Sequence, residues 1–161
     1  MIIEATTEKD FQEAFDFMNS CMKEVRKRMG ENPDIEPPFP AFSAENFAKM
    51  KEFMKEHIYA LEDRGRKVGY ISIFETMRDG AIIFGKMFIH PDDWDKDYKN
   101  QFLDFVTQHA RERKAQKLRV SVIDKDEWSQ QWYASQGFEQ KGVMGFSPMP
   151  FEFLLFEKVI A

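Results

Sequence analysis

The sequence predicts a mixed α/β fold, with helices on both faces of one central, mostly antiparallel sheet. Two observations support this fold class. Apolar residues recur at helical spacing early in the chain, and short apolar runs bounded by turn signals then alternate with further helical segments. The chain has 161 residues, which suits one ordinary domain. We therefore expect a single domain over residues 1–161.

The first quarter of the chain predicts a short strand followed by two helices. Met1–Ala5 has the pattern of a strand, and Thr7 is a typical N-cap for the helix that follows. Ser43 is predicted to cap the second helix. Between the helices, the segment from Gly30 to Phe42 contains four prolines, which favour an extended loop. The apolar stripe of the first helix consists of Phe11, Ala14, Phe15, Met18, Met22 and Val25, and that of the second of Phe47, Met50 and Met54.

The central part of the chain has the pattern of three antiparallel strands. The predicted strands Ile58–Glu62 and Lys67–Glu75 flank the turn sequence Asp63-Arg64-Gly65-Arg66. A second turn signal, Asp79-Gly80, precedes the third predicted strand, Ala81–Ile89. Three strands joined by short turns are expected to lie side by side in one sheet.

The last part of the chain predicts a parallel strand pair within this sheet. Pro91 ends the third strand, and a long helix is predicted to begin near Tyr98. Leu118–Ile123 follows that helix closely enough to return parallel to Ala81–Ile89. Gly137 is expected to end a further short helix that begins near Glu127. The two final strands are predicted at Gly142–Phe146 and Phe151–Ile160.

Charge and cysteine content exclude several classes of function. The net charge is −5 and the pI is near 5.3, whereas a nucleic-acid-binding protein needs a basic surface. An acidic surface suits a cationic amine substrate instead. Cys21 is the only cysteine and is predicted to lie buried on the first helix. No apolar stretch approaches the length that spans a bilayer, so we expect a cytoplasmic protein that binds no membrane. The scattered residues His57, His90 and His109 predict no metal site.

One short motif near the C-terminus suggests a family. The sequence Tyr133-Ala134-Ser135-Gln136-Gly137-Phe138 is similar to the Tyr-x-x-x-Gly-Phe ending of the last helix in the GNAT superfamily of acetyl-CoA-dependent N-acetyltransferases. Ile89-His90-Pro91 resembles the family's Val-x-Pro strand end, and Asp126 lies at a suitable distance to cap the last helix. The predicted order of strands and helices resembles the family over the whole chain. The resemblance implies the acyl-CoA N-acyltransferase fold, with acetyl-CoA as donor and a primary amine as acceptor.

The resemblance also implies a set of site residues. Tyr133 corresponds to the tyrosine that serves as the acid for the departing thiolate, with a half-buried anchoring residue as the alternative role. Glu75 and His90 are the candidate bases, each of which could also be solvated or simply hydrogen-bonded. The expected contacts of coenzyme A lie on Met87, Phe88, Ile89, Lys96, Lys99, Asn100 and Asp126. Trp94, Trp128 and Trp132 could stack on adenine, although core packing is favoured for Trp132.

The segment between Pro91 and Asn100 departs from the family pattern. The family's phosphate-binding loop is rich in glycine, because glycine allows backbone N–H groups to approach phosphate closely. This chain has Asp92, Asp93, Asp95 and Asp97 there and no glycine, with Trp94 where the family has Arg or Gln. The aspartates are expected to surround the anion site and to cap the following helix. Three functions stay open. They are an N-acetyltransferase of small-molecule or peptide amines, a binding or regulatory module that has lost the usual coenzyme A binding, and an acyltransferase that uses another donor or anchors the pyrophosphate through Lys96, Lys99 and side chains elsewhere. Pairing of two copies through their sheets, as GNAT-like domains often do, is a further option.

Overall fold

The computed structural model describes residues 1–28, 30, 42–145 and 152–161. A seven-stranded mixed sheet forms its centre, with the order β1-β2-β3-β4-β5-β7-β6. The strands are β1 (Ile2–Glu4), β2 (Glu56–Asp63), β3 (Arg66–Arg78), β4 (Ala81–Ile89), β5 (Lys117–Ile123), β6 (Glu139–Gly145) and β7 (Glu152–Val159). The helices are α1 (Glu8–Arg28), α2 (Ala44–Met54), α3 (Tyr98–Glu112) and α4 (Glu127–Ser135), and a short 3₁₀ helix covers Pro91–Asp93. The predicted fold class is confirmed.

The pairing of the strands explains the shape of the sheet. β1 to β4 form an antiparallel series, and β4 then pairs in parallel with β5. The connection from β4 to β5 runs through α3, as a parallel crossover requires. The remaining pairs, β5 with β7 and β7 with β6, are antiparallel again. The predicted parallel pair therefore lies in the middle of the sheet.

Two apolar clusters cover the two faces of the sheet. The larger cluster joins the sheet to α3 and α4 and includes the wholly buried Phe84, Phe102 and Leu118. The smaller cluster joins β2 and β3 to α1 and α2 through Phe15, Met18 and Phe47. Cys21 is buried, as the sequence predicted. Among the described helices, none is long and apolar enough to cross a membrane.

The helix caps fit the sequence with one exception. Ser43 caps α2 by accepting from the N–H of Asn46, and Asp126 caps α4 by accepting from the N–H of Ser129. Gly137 has a φ of 91°, the left-handed conformation that ends α4. The predicted aspartate cap of α3 is wrong, because Asp97 occupies the N-cap position without a side-chain hydrogen bond to the first turn. Its carboxylate accepts from the side chain of Asn100 instead.

The predicted strand ends differ most from the structure in β3 and β6. β3 continues to Arg78 because its pairing with β4 extends down to the turn, where Arg78 lies opposite Ala81. β6 begins at Glu139, directly after Phe138, and is paired with β7 from its first residue. Most of the predicted proline-rich loop, Phe146 and the start of the last predicted strand at Phe151 lie outside the described residues.

Candidate functional site

A cavity opens where the parallel strands β4 and β5 separate. They are paired only from Ala81 to Ile83 on β4 and from Lys117 to Arg119 on β5. Beyond these pairs, the remainder of each strand lines a cavity of about 770 Å³. This volume is within the range typical of ligand pockets. The wall of the cavity includes Gly85–Ile89 from β4 and Val120–Ile123 from β5, together with residues of α1, α3 and α4.

A β-bulge shapes the β4 wall of this cavity. Tyr70 of β3 lies opposite Phe88, whereas Ser72 lies opposite Gly85, so β4 contains one extra residue between these two pairs. The backbone of Lys86 has a φ of 50°, which is uncommon for a residue with a side chain. A bulge leaves backbone groups unpaired and redirects a side chain. The backbone at Lys86 and Met87 therefore provides N–H groups of the kind that bind a developing oxyanion.

Tyr133 of α4 also lines the cavity. It is only 7% exposed, and its ring packs against Phe84, Phe138 and Trp132. Burial raises the pKa of the phenol far above its ordinary value, and the negative charge of Asp126 adds to this effect. The phenol is therefore protonated at neutral pH and can donate a proton. Both predicted roles, anchoring residue and candidate acid, are compatible with this position.

An aromatic and cationic cluster forms the mouth of the cavity. The rings of Trp94 and Trp128 lie 5.1 Å apart between their centroids. The guanidinium of Arg28 lies 3.5 Å from the centroid of Trp94, and the ammonium of Lys99 lies 4.2 Å from that of Trp128. Neither cation forms an ion pair with a carboxylate among the described residues. We call these four residues the indole–cation cluster. Two cations held on aromatic faces beside a cavity can bind an anion.

The aspartates of the 91–97 segment do not surround this cavity, which corrects the sequence-based expectation. Asp93 is buried and forms ion pairs with Arg66 and Lys96, both at 3.2 Å. Asp97 is bonded to Asn100, and none of the four aspartates lines the cavity. The residue of this segment that reaches the cavity is Trp94, whose indole N–H donates to the carbonyl of Ile89 at 2.7 Å. The acidic segment therefore presents an aromatic ring to the site and keeps its charges away.

The structure brings together six of the ten predicted site residues. The cavity wall contains Met87, Phe88, Ile89, Lys99, Asp126 and Tyr133. It does not contain Glu75, His90, Lys96 or Asn100. Glu75 lies outside the cavity wall, and its two carboxylate oxygens accept from His109 Nε2 and Arg113 Nε at 2.6 Å each. His90 accepts from the backbone N–H of Asp92, consistent with its alternative hydrogen-bonded role.

Three residues at or beside the site were not predicted from the sequence. Arg28 is the last residue of α1. Lys86 lines the cavity from within the otherwise apolar strand AIIFGKMFI, and this isolated charge was a signal that could have identified it. Glu56 is completely buried at the start of β2 and pairs with Lys86 at 2.6 Å. No group of three or more His, Cys, Asp or Glu side chains suited to a metal ion occurs among the described residues.

The splayed parallel pair, the bulged strand and the buried tyrosine define a protein of the acyltransferase fold class. Residues 54–140 match the model of the acetyltransferase (GNAT) domain, which covers more than half of the chain. The protein therefore belongs to the GNAT acetyltransferase family, and the resemblance inferred from the sequence is confirmed. No curated protein sequence matches the chain significantly.

Solved structures of GNAT acetyltransferases share the fold over nearly the whole chain. A GNAT family acetyltransferase from Elizabethkingia anophelis with acetyl-CoA bound has a TM-score of 0.73 at 12% identity, covering 99% of this chain and 97% of that one. The ribosomal-protein-alanine N-acetyltransferase of Brucella melitensis has a TM-score of 0.70 at 18% identity, with 99% of each chain covered. A chimera of the spermidine N-acetyltransferase of Vibrio cholerae has a TM-score of 0.67 at 14% identity, with 98% and 94% covered. At these identities the likeness concerns the fold.

Proposed function

We propose that the protein is an N-acetyltransferase that moves an acetyl group from acetyl-CoA to a primary amine of a small molecule or peptide. The observation that carries this proposal is the position of Tyr133, whose buried side chain lines the same cavity as the part of β4 that is not paired with β5. A proton donor and a row of free backbone groups in one cavity are what acyl transfer from a thioester requires. We further propose that the protein acts in the cytoplasm.

The residues around the cavity fit a thioester donor that carries phosphate groups. Arg28 and Lys99 offer two positive charges at the cavity mouth, and neither has a carboxylate partner in the part of the chain that the structure describes. They would take the place of the glycine-rich backbone cradle that residues 91–100 lack, because side-chain cations also bind phosphate. Met87, Phe88 and Ile89 would supply the main-chain contacts along the pantetheine arm. Asp126 would hold the first turn of α4 in place, as its hydrogen bond to Ser129 does in the free protein.

Each residue that takes part in the proposed acetyl transfer has one chemical role. The acetyl donor supplies an activated carbonyl, and the unpaired N–H groups of the β4 bulge would stabilise the oxyanion that forms on it. Tyr133 would give its proton to the departing sulfur, for which its protonated state at neutral pH is suited. The acceptor amine must lose a proton as well, and neither Glu75 nor His90 lies in the cavity wall to receive it. Solvent or another group would take that proton.

Calorimetry with acetyl-CoA tests the proposal first. We expect one acetyl-CoA to bind per chain, and an Arg28→Gln, Lys99→Gln double variant to weaken binding by about 1–3 kcal/mol, the usual range for hydrogen bonds to charged groups. A Lys96→Gln variant is the matched control, since Lys96 is paired with Asp93 outside the cavity. Release of free thiol should then be measured with spermidine and with peptides that begin with alanine. Absence of acetyl-CoA binding would contradict the proposal.

One observation favours the alternative of a binding or regulatory module. The indole N–H of Trp94 already donates a hydrogen bond to the carbonyl of Ile89. The rings of Trp94 and Trp128 are also in contact with each other at the mouth of the cavity. If this contact closes the site permanently, acetyl-CoA should bind only after its removal. A Trp94→Ala variant that gains acetyl-CoA binding, beside a wild-type protein that has none, would support the module. Equal binding by both proteins would instead favour the acetyltransferase.

A further inference from the structure

A buried ion pair lies under the β4 wall of the cavity. Glu56 is 0% exposed, and one of its oxygens, Oε1, accepts from Lys86 Nζ at 2.6 Å and from the hydroxyl of Ser72 at 2.8 Å. The other oxygen, Oε2, is buried and has no hydrogen-bond partner among the described residues. Such an oxygen is unusual, because most buried polar side-chain atoms have a hydrogen-bond partner.

Lys86 borders two cavities at once. It lines the main cavity together with Met87 and Phe88, and it also lines a second cavity of about 160 Å³ on the side of α1 and α2. Its side chain is 27% exposed, so the amine is accessible. The other residues of the smaller cavity are mostly apolar: Phe15, Met18, Phe42, Ser43, Asn46, Phe47 and Ile58. The amine thus lies beside the proposed donor site with apolar space next to it.

We propose that Lys86 is a self-acetylation site, and that its ε-amine receives the acetyl group of acetyl-CoA bound to the same chain. This proposal rests on the proposed function, because it requires acetyl-CoA in the main cavity. The β-bulge is the reason that a side chain at this position reaches Glu56 on β2, since the extra residue redirects the side chain. A primary amine is therefore fixed against a carboxylate in the wall of the donor cavity.

The reaction balances with groups already named. The Lys86 ammonium gives a proton to Glu56, and the neutral amine attacks the thioester carbonyl to form a carbon–nitrogen bond. The carbon–sulfur bond breaks, and the thiolate takes a proton, for which Tyr133 is positioned as donor. The nitrogen loses its second proton, which restores the phenol of Tyr133. The products are acetyl-lysine, free coenzyme A and one proton, held by Glu56 and then released to solvent.

The small cavity provides space for the product. A volume of 160 Å³ is about five times the share of one water molecule in the liquid, which leaves room for an acetyl group. The rings of Phe42 and Phe74 lie 5.7 and 5.9 Å from the Lys86 ammonium and would contact the uncharged product. Since acetyl-lysine has no positive charge, acetylation would remove the ion pair between Lys86 and Glu56.

The test is incubation of the purified chain with acetyl-CoA, followed by intact-mass analysis and peptide mapping. We expect a gain of one acetyl group per chain, located on Lys86, with a rate constant that does not depend on protein concentration. Lys86→Arg should abolish this gain, because a guanidinium keeps the ion pair but does not accept the acetyl group. Lys96→Arg is the matched control, since Lys96 is paired with Asp93 outside the cavity wall, and it should retain acetylation of Lys86. Chain unfolded in urea should show no preference for Lys86.

A Glu56→Gln variant tests the proton acceptor. Its acetylation should be slower than in the wild type, because the amide of Gln accepts no proton from Lys86. Circular dichroism checks that the variant is folded, and Lys86→Arg carries the test if it is not. If calorimetry shows acetyl-CoA binding but Lys86 stays unmodified, or if surface lysines are acetylated equally, this inference is wrong and the proposed function stands. Absence of acetyl-CoA binding would overturn both.

Discussion

The two ends of the β4–β5 pair are built from one pair of strands but differ in almost every respect. At the closed end, Ala81–Ile83 is hydrogen-bonded to Lys117–Arg119, and the side chains of Ile82 and Leu118 are 1% exposed or less. At the open end, Gly85–Ile89 leaves β5 and forms a cavity wall that contains a bulge and a lysine. The closed end stabilises the strand pair, and this stability allows the open end to keep backbone groups unpaired.

The carboxylates of Glu75 and Glu56 differ in their hydrogen bonds although they lie close together in the strand register, where Glu56 pairs with Phe74. Both oxygens of Glu75 have partners, His109 and Arg113. Only one oxygen of Glu56 has partners among the described residues, and one of these partners is Lys86 of the cavity wall. Glu56 is therefore linked to the cavity wall by an ion pair, whereas Glu75 is bonded to residues outside it. Sequence position alone therefore does not identify the reactive carboxylate.

The largest expected effect belongs to the open end. Tyr133→Phe should lower kcat by about 10²–10⁴-fold, the usual contribution of a positioned acid. The free energy of unfolding should hardly change, because the Tyr133 hydroxyl has no hydrogen-bond partner among the described residues. Tyr59→Phe is the matched control outside the cavity wall, where the ring of Tyr59 packs against Phe105. An equal loss of activity in both variants would contradict the role of Tyr133 as the acid.

The next effect belongs to the closed end and concerns stability. Ile82→Ala should lower the free energy of unfolding by about 2–5 kcal/mol, because Ile82 is 1% exposed and its truncation leaves a cavity. Urea unfolding measures this difference, with Ile3→Ala as the matched control, since Ile3 is 40% exposed on the edge strand β1. The acetyl-CoA dissociation constant of the folded variant should equal that of the wild type. A weakened acetyl-CoA affinity would show that the two ends are coupled.

A smaller effect is expected for the ion pairs of Glu75. Glu75→Gln should destabilise the protein by about 1–3 kcal/mol, because His109 and Arg113 lose a charged partner. Glu139→Gln is the control, since Glu139 is 75% exposed and its ion pair with Lys141 should contribute under about 1 kcal/mol. The kcat of Glu75→Gln should be unchanged. A large loss of kcat without a loss of stability would restore Glu75 as the base.

Much of the fold, but only part of the site, could be predicted from the sequence. Local signals could be interpreted without a structure. They include the strand and helix periods, the Asp126 cap and the helix end at Gly137. The side chains of the aspartates in the 91–97 segment are oriented by partners that lie far away in sequence, such as Arg66 for Asp93. Lys86 and Glu56 likewise meet only across three strands and a bulge. Their pairing had no local signal beyond a single charge in an apolar strand.

The smallest expected effect is a pH dependence of donor binding at the open end. Burial against the rings of Trp128 and Trp132 lowers the pKa of Lys99 below the ordinary lysine value of 10.5. The free protein therefore loses the positive charge of Lys99 at a lower pH than an exposed lysine would. Above that pH, Lys99 must take up a proton again before it can bind an anion. Affinity for acetyl-CoA should accordingly fall by up to about tenfold per pH unit between that lowered pKa and 10.5, and be unaffected well below it. Lys99→Arg should flatten the profile, because the guanidinium keeps its charge throughout this range. Calorimetry at increasing pH measures both proteins, and parallel profiles would mean that Lys99 does not bind the anion.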